Sequence, residues 1–274
     1  MELLRGIQLL ETRYRVSYDE AVFAHDGYFA GDDQARSADL IRAICDPDVR
    51  AIVGARGGYG CTRILPSISR SLVSAHPKLL VGLSDLTALH ALWRKAGLRS
   101  LHGQMVCALG RNPKEEFTRW CSQVEGAHPA PIVGLRRIRE GRAEGPLWGG
   151  NLAVISALVG TEHLPSPEGI ILFLEDVGER PYRVDRMLTS LIQSGFFAGV
   201  AGVVLGQFTH CQTGPDGRSV ESVLEERLSG LGVPLVSGVP AGHEVPSLEL
   251  PLGALTRLDA TAGKVSFESG AVYH

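Results

Sequence analysis

Residues 78–93, KLLVGLSDLTALHALW, constrain the fold more than any other stretch of this 274-residue chain. The apolar run Leu79 to Leu83 reads as a strand. It stops at Ser84, and Leu86, Leu89 and Trp93 then recur on one side of a helix. A serine on such a strand-to-helix bend has an exposed hydroxyl and a helix N-terminus beneath it. Free backbone N–H groups and the positive dipole end there stabilise a developing oxyanion. The arrangement is related to the G-x-S-x-G nucleophile elbow, with Leu86 in place of the second glycine. The plainer role for Ser84 is a helix N-cap followed by a favourable acid, Asp85, and for an isolated serine that role is the commoner one.

Charged residues make up 21% and hydrophobic residues 44% of the chain, as in an ordinary globular protein of one large or two modest domains. A net charge of -3 offers no electrostatic attraction for nucleic acid or an anionic membrane. No apolar run is long enough to span a bilayer, and Met1 to Glu11 reads as a helix rather than a signal peptide. The five cysteines (Cys45, Cys61, Cys107, Cys121 and Cys211) are scattered, which fits reduced thiols in a cytoplasmic protein.

Strands and helices alternate. Leu3 to Tyr14 and Gln34 to Cys45 read as helices, Ala51 to Ala55 and Ser100 to His102 as strands. This order predicts a parallel sheet with helices on both sides. Residues 1–110 form the first expected domain. Residues 111–144 are polar, carry Pro129, Pro131 and the basic run Arg136, Arg137, Arg139, and read as an irregular linker. Residues 145–274 form the second domain. It holds a helix from Leu152 to Val159, a strand from Gly169 to Glu175, a helix from Tyr182 to Ser194, a strand from Val200 to Phe208 and short strands from Pro234 to Phe267.

A serine nucleophile needs a base, and the base needs an orienting acceptor. Of nine histidines, His90 lies on a later turn of the helix after Ser84 and points away. His102 ends a strand and could line a cleft. His243 stands in a loop stiffened by Pro240, Gly242 and Pro246. Glu175 closes a buried strand, and sites of parallel α/β sheets gather at such carboxyl ends; its plainer role is a cap or a partner for Arg183 or Arg186. Arg56-Gly57-Gly58-Tyr59-Gly60 also follows a strand. It matches neither phosphate-binding glycine pattern, and its other use is to lend a backbone N–H to a tetrahedral intermediate. No H-E-x-x-H and no close ligand cluster points to a metal.

Six segments, in order, resemble the LD-carboxypeptidase family of serine peptidases, which includes muramoyl-tetrapeptide carboxypeptidases and microcin-immunity peptidases. They are YFAGDDQARSADL, DPDVRAIVGARGGYGCTRILP, VGLSDLTALH, LWGGNLAVISALVGT, FLEDVGERPYRVDRMLTSL and GVPAGHEVPSLELPLGA. The resemblance implies a flavodoxin-like N-terminal domain and a smaller, β-rich C-terminal domain. It implies a triad of Ser84 as nucleophile, Glu175 as orienting carboxylate and His243 as base. It places the oxyanion hole on the N–H of Asp85 and of Gly57 or Gly58. Arg56, Tyr59, Asn151 and His102 are candidate substrate contacts, Asn151 equally a helix cap; Arg63, Arg183 and Arg186 are further candidates for a substrate carboxylate. The implied activity is release of terminal D-Ala from a cytoplasmic muropeptide by a homodimer without cofactor. Cleavage of a peptidyl-nucleotide amide, and a flavodoxin-like binding module without chemistry, are the alternatives. Two departures from the family stand out: the family's first strand has no counterpart in the sequence, with Met1 already entering the following helix, and Gln104 occupies a position where proline is expected.

Overall fold

The computed structural model describes residues 1–111 and 114–272; Asn112 and Pro113, inside the expected linker, lie outside the described residues. Its strands in chain order are β1 (Ala51–Val53), β2 (Leu79–Gly82), β3 (Ser100–His102), β4 (Arg136–Arg139), β5 (Arg142–Asn151), β6 (Ile171–Val177), β7 (Gly202–Thr209), β8 (Leu235–Ser237), β9 (Leu250–Leu252), β10 (Leu255–Asp259) and β11 (Lys264–Phe267). They form two sheets, ordered β1-β2-β3-β9 and β11-β10-β5-β6-β7-β8-β4.

The first sheet is the expected parallel one. β1, β2 and β3 run in one direction, with Ala51 opposite Leu79 and Gly82 opposite His102. Its fourth strand comes from the far end of the chain: β9 pairs antiparallel to β3, with Leu250 opposite His102. Pro251 is tolerated in β9 because the strand lies at the sheet edge. The second sheet has a parallel centre, β5 to β8, extended by antiparallel β10, β11 and β4.

One apolar cluster unites the halves. Leu89 and Trp93, from helix Thr87–Lys95, belong to the same buried group as Trp148 of β5, Ile155 of helix Leu152–Ala157 and Leu172 of β6. Each buried leucine or isoleucine in it stabilises the fold by about 1.5–3 kcal/mol. Trp93 satisfies its indole N–H on Lys78 O at 2.8 Å.

The expectation of an irregular stretch after residue 111 needs correction. Helix Lys114–Val124 occupies it, burying Phe117, Trp120 and Cys121 against helix Glu2–Glu11, β2 and β3. Trp120 also donates to the carbonyl of Gln104 at 3.0 Å. The basic run is a strand, β4, and not part of an irregular linker, although Arg136, Arg137 and Arg139 stay exposed: Arg136 and Arg137 pair with Ser237 and Val236 of β8.

Candidate active site

The turn after β2 has the geometry of an elbow. Ser84 has φ of +61°, one of two positive values at non-glycine residues among those described. Such a left-handed conformation costs a side-chain-bearing residue roughly 1–2 kcal/mol, and strain of this kind collects at functional positions. The helix begins as a 3₁₀ turn, Ser84–Leu86, and continues as Thr87–Lys95. Leu86, which stands in place of the second glycine of the elbow pattern, folds back over β2 and fills the space where a Cβ on Gly82 or Gly54 would lie.

The glycine loop abuts this turn. A Cβ built on Gly57 would lie 3.1 Å from the Ser84 Cβ and 3.2 Å from its Oγ. Gly58 has φ of +142° and open space around it. Of the two glycines considered for an oxyanion donor, Gly57 is therefore the one against the serine. Asp85 fastens the loop: its carboxylate, buried beside the serine, accepts the backbone N–H of Cys61 at 2.8 Å. Arg56 is exposed, with its Nε 3.3 Å from the Gly57 carbonyl. Tyr59 is 55% exposed and stands 5.8 Å from the Phe29 ring, in a surface group with Tyr28.

The second half supplies the acid and the imidazole. Glu175, on β6, is fully buried and accepts a hydrogen bond from His243 Nδ1 on Oε2 at 2.7 Å. Burial opposes ionisation of Glu175, but His102 and His243 outweigh it and hold the carboxyl well below its usual range. His243 moves the other way: burial lowers its basicity, and the Glu175 charge more than reverses this. Adjacent residues on a strand face opposite sides, so Asp176 serves a different purpose. It accepts from Asn151 Nδ2 at 2.8 Å and Ala153 N at 2.9 Å, and burial together with the charge of Glu175 pushes it up to about 6.

Asn151 is thereby accounted for as a cap. Its Oδ1 accepts from Val154 N and its backbone N–H donates to Thr87 Oγ1 at 3.0 Å. His102 is fully buried rather than on a cleft wall, with Nε2 3.9 Å from Glu175 Oε1 and its ring 5.0 Å from that of Phe173. At that distance the His102 contact is electrostatic, not a hydrogen bond. His90 is a rivet: Nδ1 meets Ser100 Oγ at 2.8 Å and Nε2 meets Gly82 O at 2.9 Å.

The carboxylate is linked to the elbow twice: His102 is the β-sheet neighbour of Gly82, and Asn151, opposite Glu175, bonds Thr87. No hydrogen bond joins the Ser84 hydroxyl to His243 in this structure. Such bonds are often long without substrate and tighten in the complex.

One residue with a bearing on the site was not legible in the sequence. Arg119, on helix Lys114–Val124, donates to the Ser247 carbonyl at 2.6 Å and to Glu249 Oε2 at 3.0 Å. Ser247 Oγ in turn bonds both the N–H and the carbonyl of Gly242, next to His243. A guanidinium from the first half thus holds the loop that presents the imidazole. Its position in a segment read as linker hid it.

The chain matches known proteins over most of its length. Residues 1–103 match the LD-carboxypeptidase N-terminal domain and residues 144–258 the LD-carboxypeptidase C-terminal domain. A murein tetrapeptide carboxypeptidase of Pseudomonas aeruginosa is 34% identical over 245 residues, covering 85% of this chain and 80% of the relative. A putative carboxypeptidase of Synechocystis sp. is 38% identical over 271 residues, covering 97% and 89%. The crystal structure of muramoyltetrapeptide carboxypeptidase from Oxalobacter formigenes superposes with a TM-score of 0.87 at 31% identity, covering 98% of this chain and 94% of that one. The microcin C7 self immunity protein MccF, in complex with aspartyl sulfamoyl adenosine, shares the fold at 24% identity, with a TM-score of 0.87 over 99% and 92% of the chains.

Proposed function

The chain belongs to the LD-carboxypeptidase family, and on that premise we propose that it is a serine carboxypeptidase acting on a cytoplasmic muropeptide, cleaving the L,D-amide before a terminal D-Ala. The observation that carries the proposal is the bond from His243 Nδ1 to the wholly buried Glu175. A carboxylate in that place fixes the imidazole tautomer, leaves Nε2 free to take a proton, and stabilises the cation that results.

In this reading Ser84 Oγ gives its proton to His243 and attacks the carbonyl carbon of the scissile bond. The oxyanion is held by the N–H groups of Asp85 and Gly57. His243 protonates the leaving amine, and water, activated by the same imidazole, then releases the peptide from Ser84. Losing one oxyanion donor costs about 100- to 1000-fold in rate. Arg56 lies beside the Gly57 carbonyl with its guanidinium exposed, and a planar fork of donors suits a terminal carboxylate.

Mass spectrometry of purified protein with an L-centre–D-Ala tetrapeptide tests the proposal, with Ser84→Ala as control. Release of D-Ala that vanishes in the variant supports it. No release, with hydrolysis of an aminoacyl-sulfamoyl adenosine instead, moves the assignment to a peptidyl-nucleotide amidase. Inertness toward both, with no phosphonate adduct on Ser84, leaves a binding module.

A further inference from the structure

His102 and Glu175 are both fully buried, yet both ring nitrogens of His102 and Oε1 of Glu175 have no hydrogen-bond partner. Buried polar groups without partners are uncommon, and here three belong to one pair of side chains, two of them, Nε2 and Oε1, facing each other 3.9 Å apart. The imidazole is held from several sides. Its backbone pairs with Gly82 on one strand and Leu250 on another, and Phe173 packs edge-on against the ring. Glu175 Oε2 is already occupied by His243. The carboxylate therefore lies between two imidazoles, one partly open to substrate and one sealed in the core.

We propose that His102 is a positioning residue for the Glu175 carboxylate, with Nε2–H directed at Oε1. A movement of under about 1 Å closes the gap to a hydrogen bond. A second donor keeps the carboxylate from rotating while His243 gains and loses its proton. It also draws charge toward Oε1 and so moderates how strongly Glu175 retains the proton of His243. The other ionisable groups around this pair are few. Asp176 follows Glu175 on the opposite face and adds to the basicity of His243. His90, on helix Thr87–Lys95, is pushed down to about 3 by burial and stays neutral. Glu249 lies beside Gly103 and is paired with Arg119.

The inference rests on Glu175 being the orienting carboxylate. It is tested by ¹⁵N-imidazole NMR on the whole protein, wild type, His102→Gln and His102→Leu, alongside kinetics. In the wild type Nε2 of His102 should carry a proton. In His102→Leu the His243 titration should move up by about half a unit or more, and in His102→Gln, which keeps a donor, it should return toward wild type. The kcat of His102→Leu should fall about tenfold with KM unchanged, while His102→Gln stays within about threefold of wild type. An Nδ1–H tautomer overturns the proposal in the wild type alone, even if His102→Leu fails to fold. So does an unshifted His243 titration in a folded His102→Leu. These NMR readings need no turnover, so they separate failure of this inference from failure of the peptidase assignment, which Ser84→Ala reports.

Discussion

Asp85 accepts the backbone N–H of Cys61 at 2.8 Å and so ties the residue after the serine to the end of the glycine loop. The bond is buried and charge-assisted, and its loss leaves an N–H without a partner. Asp85→Ala should lower stability by about 1.5–3 kcal/mol in urea denaturation. If the bond holds Gly57 in place, kcat should fall with KM little changed. Unaltered kcat in a folded variant would free the loop from any part in catalysis.

On the proposed mechanism Ser84→Ala should reduce D-Ala release by about 10⁴-fold or more, since a nucleophile and its base act as one unit. His243→Ala should cost a comparable factor, and the double variant little beyond either. A trapped acyl adduct on Ser84, seen by mass spectrometry of intact protein, is the direct check.

In the proposed mechanism His243 must be neutral to accept a proton, and it is raised above its ordinary value of 6.5 by Glu175. The acidic limb of kcat/KM should therefore lie above pH 6.5, with activity lost as pH falls through it. Glu175→Gln removes the charge and leaves burial, which lowers the imidazole pKa. The limb should then move to lower pH while kcat drops by roughly 10⁴-fold, as for a triad deprived of its carboxylate. A limb that stays in place would show that another group controls it.

His90 supplies a test of stability rather than rate. Burial depresses it to about 3 in the fold, so the unfolded chain takes up a proton first as pH falls. Its contribution is complete above about pH 6.5 and declines by about 1.4 kcal/mol per pH unit toward pH 3. Thermal melts of His90→Gln should show a shallower loss of stability between about pH 6.5 and pH 5 than wild type.

Gly82 and Leu86 should be coupled, because a Cβ on one position overlaps the side chain of the other. Gly82→Ala should destabilise by about 1–3 kcal/mol. In a Leu86→Ala background the same change should cost much less, a difference read directly from a double-mutant cycle.

The strand before Ser84 and the helix after it were legible because an unbroken apolar run gives way to helical spacing. The bend at Ser84 was legible as well, but not its left-handed φ of +61°, since a run of apolar and helical spacings carries no backbone dihedral. Phe117, Trp120 and Cys121 do carry the spacing of a helix. Charged neighbours and nearby prolines hid it, so Arg119 went unrecognised. β9 was unreadable for another reason: its partner is β3, and no periodicity within Leu250–Leu252 reports so distant a pairing. His102 was noticed as the end of a strand, but its burial depends on sheet order, which single-strand patterns do not contain.

The placement of β9 also governs when this chain is complete as a machine. Emerging from the ribosome, the serine-bearing sheet remains one strand short until Leu250–Leu252 has been made, and His243 arrives only just before it. Domains otherwise tend to finish in the order of synthesis; here the first is sealed by a strand made after the parallel centre of the second. A polypeptide cut short before Leu250 has Ser84 on its turn but neither the strand that closes the first sheet nor a finished loop to hold His243 against Glu175.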